Sequence, residues 1–380
     1  MTSRIRENPL PQRSGSFPTA HRFLVRLYYG TSFCVCPFPP LLLKLIDGVS
    51  SCASRVARIN PPRKISLVPA SCPAPACRRV FVSNVGGEGR AVLITGCDTG
   101  FGYRLAKRLS RKGFLVFAGC LSFNSAGAEE LKGLSNLTVL QLDVTKQEQV
   151  DKAWGTIREH LGERELWAVV ANAGIASAGL LEWLTMDTVI DIFNVNVFGV
   201  LRVIKKFLPL LKKSKGRVVA IASPLGRFTI SMSVPYCMSK HAVVSMMDGF
   251  RRECHGKGVD FITVEPSAYR TSIFKTGSDP MDFVMREFKQ QDPEVVADYT
   301  HQDIEDWLMT NNNAFSTFIR EDPEEAVDVI EKAVRETYPK DLYRSPCGRD
   351  TPYIFLETTL PSDITNLIAA ITRKIQLRMK

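Results

Sequence analysis

From residue 90 the chain alternates short, continuously apolar segments with longer segments whose apolar residues recur at helical spacing. The first such pair is an apolar run over residues 91–95 followed by residues 100–112, which carry apolar residues on one side and basic residues on the other. Apolar strands separated by helices are typical of a parallel sheet that is buried on both faces. Because crossovers between parallel strands are right-handed, the sequence predicts an α/β fold with a doubly wound parallel sheet.

The remaining predicted elements follow the same order. Five further strands are predicted over residues 114–118, 137–142, 167–170, 217–222 and 261–264. Further helices are predicted over residues 126–134, 147–161, 185–211, 234–256 and 323–336. Residues 275–320 are polar, acidic and dotted with Met and Phe, so we expect them to lie outside the sheet as helices or loops.

The positive charge of the chain is confined to its first quarter. The formal net charge is +10 over 380 residues, and residues 1–87 contain 12 Lys or Arg against two acids. The other residues therefore carry equal numbers of bases and acids. A body without excess positive charge has no general attraction to phosphate backbones, so we expect no nucleic-acid partner.

Residues 1–88 form a basic, proline-rich leader that contains 11 of the 22 prolines. An arginine-rich, acid-poor N-terminus is typical of a mitochondrial targeting segment. Two alternatives stay open: residues 22–46 could lie on a membrane surface, or the leader could be an extension without a role. The expected location is the mitochondrion, with possible inner-membrane association, and the endoplasmic reticulum membrane is the alternative.

A glycine-rich loop joins the first predicted strand to the first predicted helix. Glycines there let the backbone turn sharply and approach a pyrophosphate, which would rest on the helix N-terminus. The spacing is GxxxGxG, and a simple turn before a helix is the alternative explanation. The candidate cofactor-binding residues of this loop are Gly96, Asp98, Thr99, Gly100, Phe101 and Gly102.

Tyr236 and Lys240 lie four residues apart and therefore on one face of a predicted helix. A lysine ammonium can lower the pKa of a nearby phenol, which can then exchange a proton with a carbonyl or carbinol oxygen. Ser223, at the end of the fifth predicted strand, could hydrogen-bond the same oxygen. Taken alone, such a Tyr–Lys pair is usually a feature of an exposed helix surface.

The segment Asn172-Ala173-Gly174 follows the fourth predicted strand, and Asn196 lies inside a predicted helix among apolar neighbours. A buried amide is costly unless it is hydrogen-bonded. Asn196 could stabilise a helix kink, or it could hold a water that leads to Lys240.

Together these motifs, in this order, resemble the short-chain dehydrogenase/reductase family over residues 90 to about 270. The resemblance implies a Rossmann-type domain over residues 89–380, with a lid over about 270–320 and a C-terminal extension over about 340–380. It implies that Tyr236 is the acid/base, that Lys240 lowers its pKa and binds the nicotinamide ribose, and that Ser223 orients the substrate oxygen. Asn196 would support a water-mediated proton relay. The implied cofactor contacts also include Asn172, Ala173, Gly174 and Pro266, together with Asp143 and Val144, which would contact adenine.

Within that family the chain is most similar to the branch of D-β-hydroxybutyrate dehydrogenase, the retinol dehydrogenases and some hydroxysteroid dehydrogenases. The similarity lies in residues 96–102, 113–121, 207–219 and 235–240. Two positions depart from the family pattern: Ala171 replaces the first Asn of NNAG, and Ser267 replaces the Gly that usually follows Pro266.

The resemblance therefore implies hydride transfer between a nicotinamide cofactor and an alcohol or ketone. NAD is expected, because Asp98 would repel a 2′-phosphate and residues 119–121 supply no cation. NADP is not excluded, because the acid that usually selects NAD is missing at the position of Gly119. Expected substrates are D-3-hydroxybutyrate or a lipophilic alcohol such as a retinol or hydroxysteroid. We also expect a homo-oligomer, possible contact of the C-terminal tail with membrane lipid, and no metal; a catalytically silent binding protein is the alternative.

Overall fold

The computed structural model describes residues 83–269, 271, 273, 280–316, 319–345, 359–361, 363–365, 367 and 370. In this part of the chain seven strands pair in parallel as one sheet, in the order β3-β2-β1-β4-β5-β6-β7. The strands are β1 (Arg90–Thr95), β2 (Leu115–Cys120), β3 (Leu137–Gln141), β4 (Glu165–Ala171), β5 (Arg217–Ile221), β6 (Asp260–Glu265) and β7 (Leu342–Arg344). The predicted doubly wound sheet is confirmed.

Ten α-helices within the described residues connect or flank these strands. They are α1 (Gly100–Arg111), α2 (Ala126–Lys132), α3 (Gln147–Leu161), α4 (Met186–Phe193), α5 (Val200–Ser214), α6 (Val234–Glu253), α7 (Pro280–Phe288), α8 (Pro293–Ala297), α9 (His301–Ser316) and α10 (Glu324–Arg335). A π-helical segment (Asn194–Gly199) joins α4 to α5, and short 3₁₀ turns lie at Leu181–Trp183 and Pro224–Gly226.

The sheet is buried on both faces, as its apolar strands require. Alternate strand residues such as Leu93 and Val169 pack with α3, α5 and α6 on one face. Their neighbours, such as Val92 and Val170, pack with α1, α2 and α10 on the other. Because a buried polar group is costly unless it is hydrogen-bonded, the ends of the strands are the most favourable places for functional side chains.

Two predicted helices need correction, and one strand was not predicted. The helix predicted over residues 185–211 begins at Met186 and is interrupted by the π-helical segment, because the Asn196 side chain bonds a loop and a neighbouring helix instead of leaving the backbone regular. The helix predicted to reach residue 256 ends at Glu253, ahead of two glycines with positive φ. Strand β7 was not predicted, because it is three residues long and pairs with the distant β6.

A separate apolar cluster packs part of the segment expected to be a lid against residues outside that segment. This lid cluster consists of Trp183, Met232, Val284, Phe288, Ile304 and Leu308. Glu287 on α7 accepts hydrogen bonds from the backbone N–H and hydroxyl of Thr185, which attaches α7 to the start of α4. At the other end of the domain Val85 donates its backbone N–H to Arg335, so the described chain already contacts α10 there.

Candidate active site

The glycine loop between β1 and α1 is held against the end of β4. Gly96 has φ +70°, and a Cβ at this position would lie 2.9 Å from the Cα of Ala173. A Cβ at Gly102 would lie 2.5 Å from the side-chain nitrogen of Asn172 and 2.4 Å from the Gly96 carbonyl oxygen. Neither position can accept a larger residue without displacing backbone. The loop is therefore shaped by close backbone approach, as a dinucleotide-binding turn requires.

The first turn of α1 has open hydrogen-bond donors. Thr99 is its N-cap, but the Thr99 side chain makes no capping hydrogen bond. The backbone N–H groups of Gly100, Phe101 and Gly102 have no partner among the described residues. A helix N-terminus with free N–H groups attracts anions, so the predicted pyrophosphate position is chemically suitable.

Asp98 links this loop to the end of β2. Its carboxylate accepts hydrogen bonds from the backbone N–H of Leu121 at 2.7 Å and of Ser122 at 3.0 Å. A carboxylate at the end of the second strand is the group that binds a ribose 2′-hydroxyl in NAD-binding folds. Here the acid comes from the glycine loop rather than from β2 itself. The sequence pattern does not reveal this placement, because it depends on a contact across more than 20 residues.

The segment after β4 supports the loop by hydrogen bonds. The Asn172 amide donates to the carbonyls of Thr95 and Gly96, at 2.8 and 3.1 Å. The Thr95 hydroxyl accepts from the backbone N–H groups of Asn172 and Ala173, both at 3.0 Å. Asn172 thus fixes the glycine loop through its side-chain nitrogen, and Thr95 is a supporting residue that the sequence analysis missed.

The predicted adenine-contacting residues lie at the end of β3. The Asp143 carboxylate accepts hydrogen bonds from the backbone N–H and hydroxyl of Thr145, so it shapes the turn before α3. Val144 is buried and packs against Gly199, where a Cβ would lie 2.5 Å from a Val144 methyl group. Their contact with adenine stays a prediction.

Asn196, in the π-helical segment, is fully buried and fully bonded. Its oxygen accepts from the Ile175 N–H, and its nitrogen donates to the Ile175 carbonyl and to the Ser239 hydroxyl. The side chain therefore joins the loop after Gly174 to α6. This geometry supports the first of the two sequence interpretations, an amide that stabilises a helix irregularity.

Ser223 and Tyr236 meet at the carboxyl edge of the sheet. Burial raises the pKa of the Tyr236 phenol above its ordinary value, and a hydrogen bond from the Ser223 hydroxyl opposes this rise. Ser223 also caps the following 3₁₀ turn by accepting the Leu225 N–H at 3.2 Å. Gly226 allows this turn to pack closely against α6, since a Cβ at Gly226 would lie 2.9 Å from the Lys240 carbonyl oxygen.

Lys240 lies under the tyrosine ring, with its Nζ 5.4 Å from the centroid of the Tyr236 ring. The ammonium donates a hydrogen bond to the Ile221 carbonyl at 2.9 Å. Burial lowers the pKa of Lys240 from 10.5 to about 8. The same burial thus disfavours charge on both residues, and the ammonium is not among the groups that change the phenol's pKa here.

The loop after β6 completes the edge. Pro266 and Ser267 are buried, and the Ser267 N–H donates to the Ser345 hydroxyl at 2.8 Å. Serine in place of glycine is accommodated here without a positive φ. The structure therefore brings the glycine loop, the segment after β4, Ser223, Tyr236, Lys240 and Pro266 to one edge of the sheet.

Comparison with known proteins agrees with this arrangement. A family described as short chain dehydrogenase matches residues 90–282. Mitochondrial D-beta-hydroxybutyrate dehydrogenase of Bos taurus is 38% identical over 288 residues, covering 73% of this chain and 83% of that protein. Retinol dehydrogenase 7 of Rattus norvegicus is 32% identical, covering 74% of this chain and 88% of that protein. A short chain dehydrogenase/reductase from Burkholderia phymatum in complex with NAD has the same fold, with a TM-score of 0.57 at 18% identity, covering 76% of this chain and 96% of that chain.

The lowered pKa of Lys240 predicts an unusual dependence of stability on pH. Between pH 8 and 10 the folded protein has lost the Lys240 proton while the unfolded chain still binds it, so the free energy of unfolding rises with pH. We expect wild type to gain about 2–3 kcal/mol relative to Lys240→Met over this range. Urea unfolding at several pH values measures the difference.

The exposed Lys205 provides the matched control for this prediction. Lys205→Met should follow the wild-type pH dependence closely. A constant difference between wild type and Lys240→Met from pH 7 to 10 would contradict a lowered Lys240 pKa.

Proposed function

This chain belongs to the short-chain dehydrogenase family of NAD(P)-dependent oxidoreductases, and we propose that Tyr236 is the group that exchanges a proton with its substrate. The observation that carries the proposal is the pairing of the Ser223 and Tyr236 hydroxyls above Lys240, at the edge where the glycine loop also lies. The substrate of this reaction is a small-molecule alcohol or its carbonyl counterpart.

Each proposed role follows from the position of the side chain. Because burial keeps the Tyr236 phenol protonated, it is suited to donate a proton to a carbonyl oxygen during reduction. Ser223 would hold the same oxygen by a hydrogen bond, and Lys240 would bind the nicotinamide ribose. Asn196 would act by fixing α6 relative to the loop at Ile175, which keeps Tyr236 in place.

The described residues fit a nicotinamide cofactor at the glycine loop. The open N–H groups at the start of α1 would hold its pyrophosphate, and Asp98 would accept a hydrogen bond from the adenosine ribose. The remaining proposed contacts come from Asp143, Val144, Asn172, Ala173, Gly174 and Pro266. When bound, the cofactor accepts or supplies the hydride.

We expect Tyr236→Phe to lower kcat by roughly 100- to 10,000-fold, because the ring still packs but its transferable proton is lost. Cofactor affinity, measured by isothermal titration calorimetry, should change less than threefold. Tyr338→Phe is the control, since Tyr338 is exposed. A Tyr236→Phe protein with more than a tenth of wild-type kcat would contradict the role, and an inactive wild type would indicate a silent cofactor-binding protein.

Two substrate classes have support. D-3-hydroxybutyrate is favoured by the greater identity to hydroxybutyrate dehydrogenases, 38% against 32% for retinol dehydrogenase 7. A lipophilic alcohol is favoured by the aromatic and aliphatic lid cluster next to the start of α4. Hydroxybutyrate is anionic and would need a cationic partner from the lid, and the expected candidates, Arg270 and Lys275, lie outside the described residues. Kinetics of the full chain with both enantiomers of 3-hydroxybutyrate, retinol and a hydroxysteroid would distinguish the classes.

We propose NAD as the preferred cofactor, because Asp98 holds a negative charge at the end of β2 where a 2′-phosphate would lie. We expect kcat/KM to be at least tenfold higher with NAD than with NADP. Asp98→Asn should reduce this ratio at least threefold, because the repulsion of the phosphate is lost.

Measuring kcat/KM with NAD and with NADP for each variant distinguishes a change in cofactor preference from a misfolded glycine loop, because a misfolded loop lowers both values together. Asp151→Asn is the control, because Asp151 lies on α3 and pairs with Lys206. A tenfold preference of wild type for NADP, or an unchanged ratio in Asp98→Asn, would refute this assignment.

We propose that the leader, residues 1–88, directs the chain to mitochondria and that the enzyme contacts a membrane peripherally. No helix among the described residues is long and apolar enough to cross a membrane. Ile364 and Leu367, in the C-terminal extension, are 45% and 60% exposed, which supports a contact of that segment with lipid or with a second copy of the chain. A homo-oligomer also stays a prediction, and sedimentation velocity measures it directly.

We expect residues 1–87 fused to a fluorescent reporter to localise to mitochondria, since an arginine-rich segment is drawn by a membrane potential that is negative inside. The control replaces Arg4, Arg6, Arg13, Arg22 and Arg26 with Gln and should remain in the cytosol. Reticular fluorescence of the unaltered fusion would favour the alternative membrane. If the full-length enzyme does not pellet with lipid vesicles, we conclude that the C-terminal extension packs within the fold and does not bind lipid.

A further inference from the structure

A fully buried carboxylate lies at the carboxyl edge of the sheet and has no role in the reaction proposed above. Glu265, the last residue of β6, is 0% exposed. Its Oε1 accepts a hydrogen bond from Nε of Arg227 at 2.8 Å, and its Oε2 accepts one from Nε of Arg344 at 2.9 Å. Two arginines therefore share one buried anion, and each comes from a different part of the chain.

The first arginine closes the turn that carries Ser223. That turn is held internally by Gly226 N–H to Ser223 carbonyl and Arg227 N–H to Pro224 carbonyl bonds, at 2.9 Å each. The ladder between β5 and β6 ends where Ala222 donates to Val264, so Glu265 lies directly beside the start of the turn. Arg227, at the end of the turn that carries Ser223, thus connects that turn to β6, the strand that lies beside the start of the turn.

The second arginine joins the C-terminal extension to the same point. Arg344 is paired with Glu265 in the β6–β7 ladder, and the next residue, Ser345, accepts the Ser267 N–H through its hydroxyl. The loop after β6, the turn after β5 and the strand β7 therefore meet at one carboxylate. The two arginine side chains are 26% and 38% exposed, so the anion is shielded while its partners reach the surface.

We propose that Glu265 is a positioning residue, which through Arg227 holds the Ser223 hydroxyl in the orientation that meets Tyr236. This inference rests on the proposed function, because Ser223 and Tyr236 act in that reaction. A buried ion pair is weak as a source of stability, since desolvation of the charges offsets their attraction. Its effect is geometric: charge-assisted hydrogen bonds fix the distance and direction of the groups they join.

The positions of Arg227, Glu265 and Arg344 predict how strongly each substitution lowers kcat. Arg227→Gln and Glu265→Gln both release the Ser223 turn, so each should lower kcat at least tenfold, while the KM for cofactor changes less than twofold because the glycine loop lies at β1 and β2. Arg344→Gln leaves the Arg227–Glu265 bond intact and should lower kcat less than threefold.

The experiment combines steady-state kinetics of the full chain with hydrogen–deuterium exchange of peptides that cover residues 223–227. Glu265→Gln and Arg227→Gln should raise exchange there at least fivefold relative to wild type. Glu331→Gln is the control, since Glu331 is 14% exposed and pairs with Arg335 at 2.5 Å within α10, away from the Ser223 turn. It should change neither kcat nor exchange at residues 223–227.

Any one of three results would overturn the proposal. The first is unchanged exchange at residues 223–227 in both Arg227→Gln and Glu265→Gln, and the second is a kcat above half of wild type in Glu265→Gln. The third is a loss of kcat in Glu331→Gln equal to that in Glu265→Gln. The two proposals can also be told apart. A wild-type chain without turnover on any alcohol tested refutes the proposed function and the positioning role together. An active wild type whose kcat is insensitive to Arg227→Gln and Glu265→Gln refutes the positioning role alone.

Discussion

Burial of the sheet on both faces is the constraint from which the position of every functional group follows. Helices cover both sides, so a polar side chain on a central strand is most readily hydrogen-bonded where the strand ends. Because all seven strands described here are parallel, their carboxyl ends lie at one edge. Thr95, Asn172, Ser223 and Glu265 lie at or just after the ends of β1, β4, β5 and β6, and each is hydrogen-bonded there.

Much of that edge follows from local sequence. Continuous apolar runs predict the six long strands, and glycines after β1 predict the close turn, because these signals arise within a few residues. The pair Tyr236 and Lys240 is predictable for the same reason, since helical spacing alone puts both on one face. The spacing of these residues only indicated that they lie together. The resemblance to the short-chain dehydrogenase/reductase family added an expected role for each of them.

The features that the sequence did not reveal all depend on contacts between distant segments. The π-helical segment exists where Asn196 bonds Ile175 and Ser239, which no helical periodicity reports. The carboxylate at the end of β2 belongs to Asp98, so a search along β2 finds nothing. Glu265 did carry a signal, namely an acid that ends an apolar strand, but its meaning required the two arginines that the fold brings to it.

Electrostatics explain why this edge needs so many fixed hydrogen bonds. Burial raises the pKa of the Tyr236 phenol and lowers that of the Lys240 ammonium, so this edge of the sheet disfavours charge of either sign. Removing a proton from an alcohol there would create an oxyanion that the same burial disfavours. In the proposed reaction a donor already aimed at that oxygen would compensate, and a donor is effective only if it does not have to reorient during the reaction. Under the proposed function Ser223 would meet this condition, because its turn is closed by backbone bonds and joined through Arg227 to Glu265, a buried carboxylate paired with two guanidinium groups.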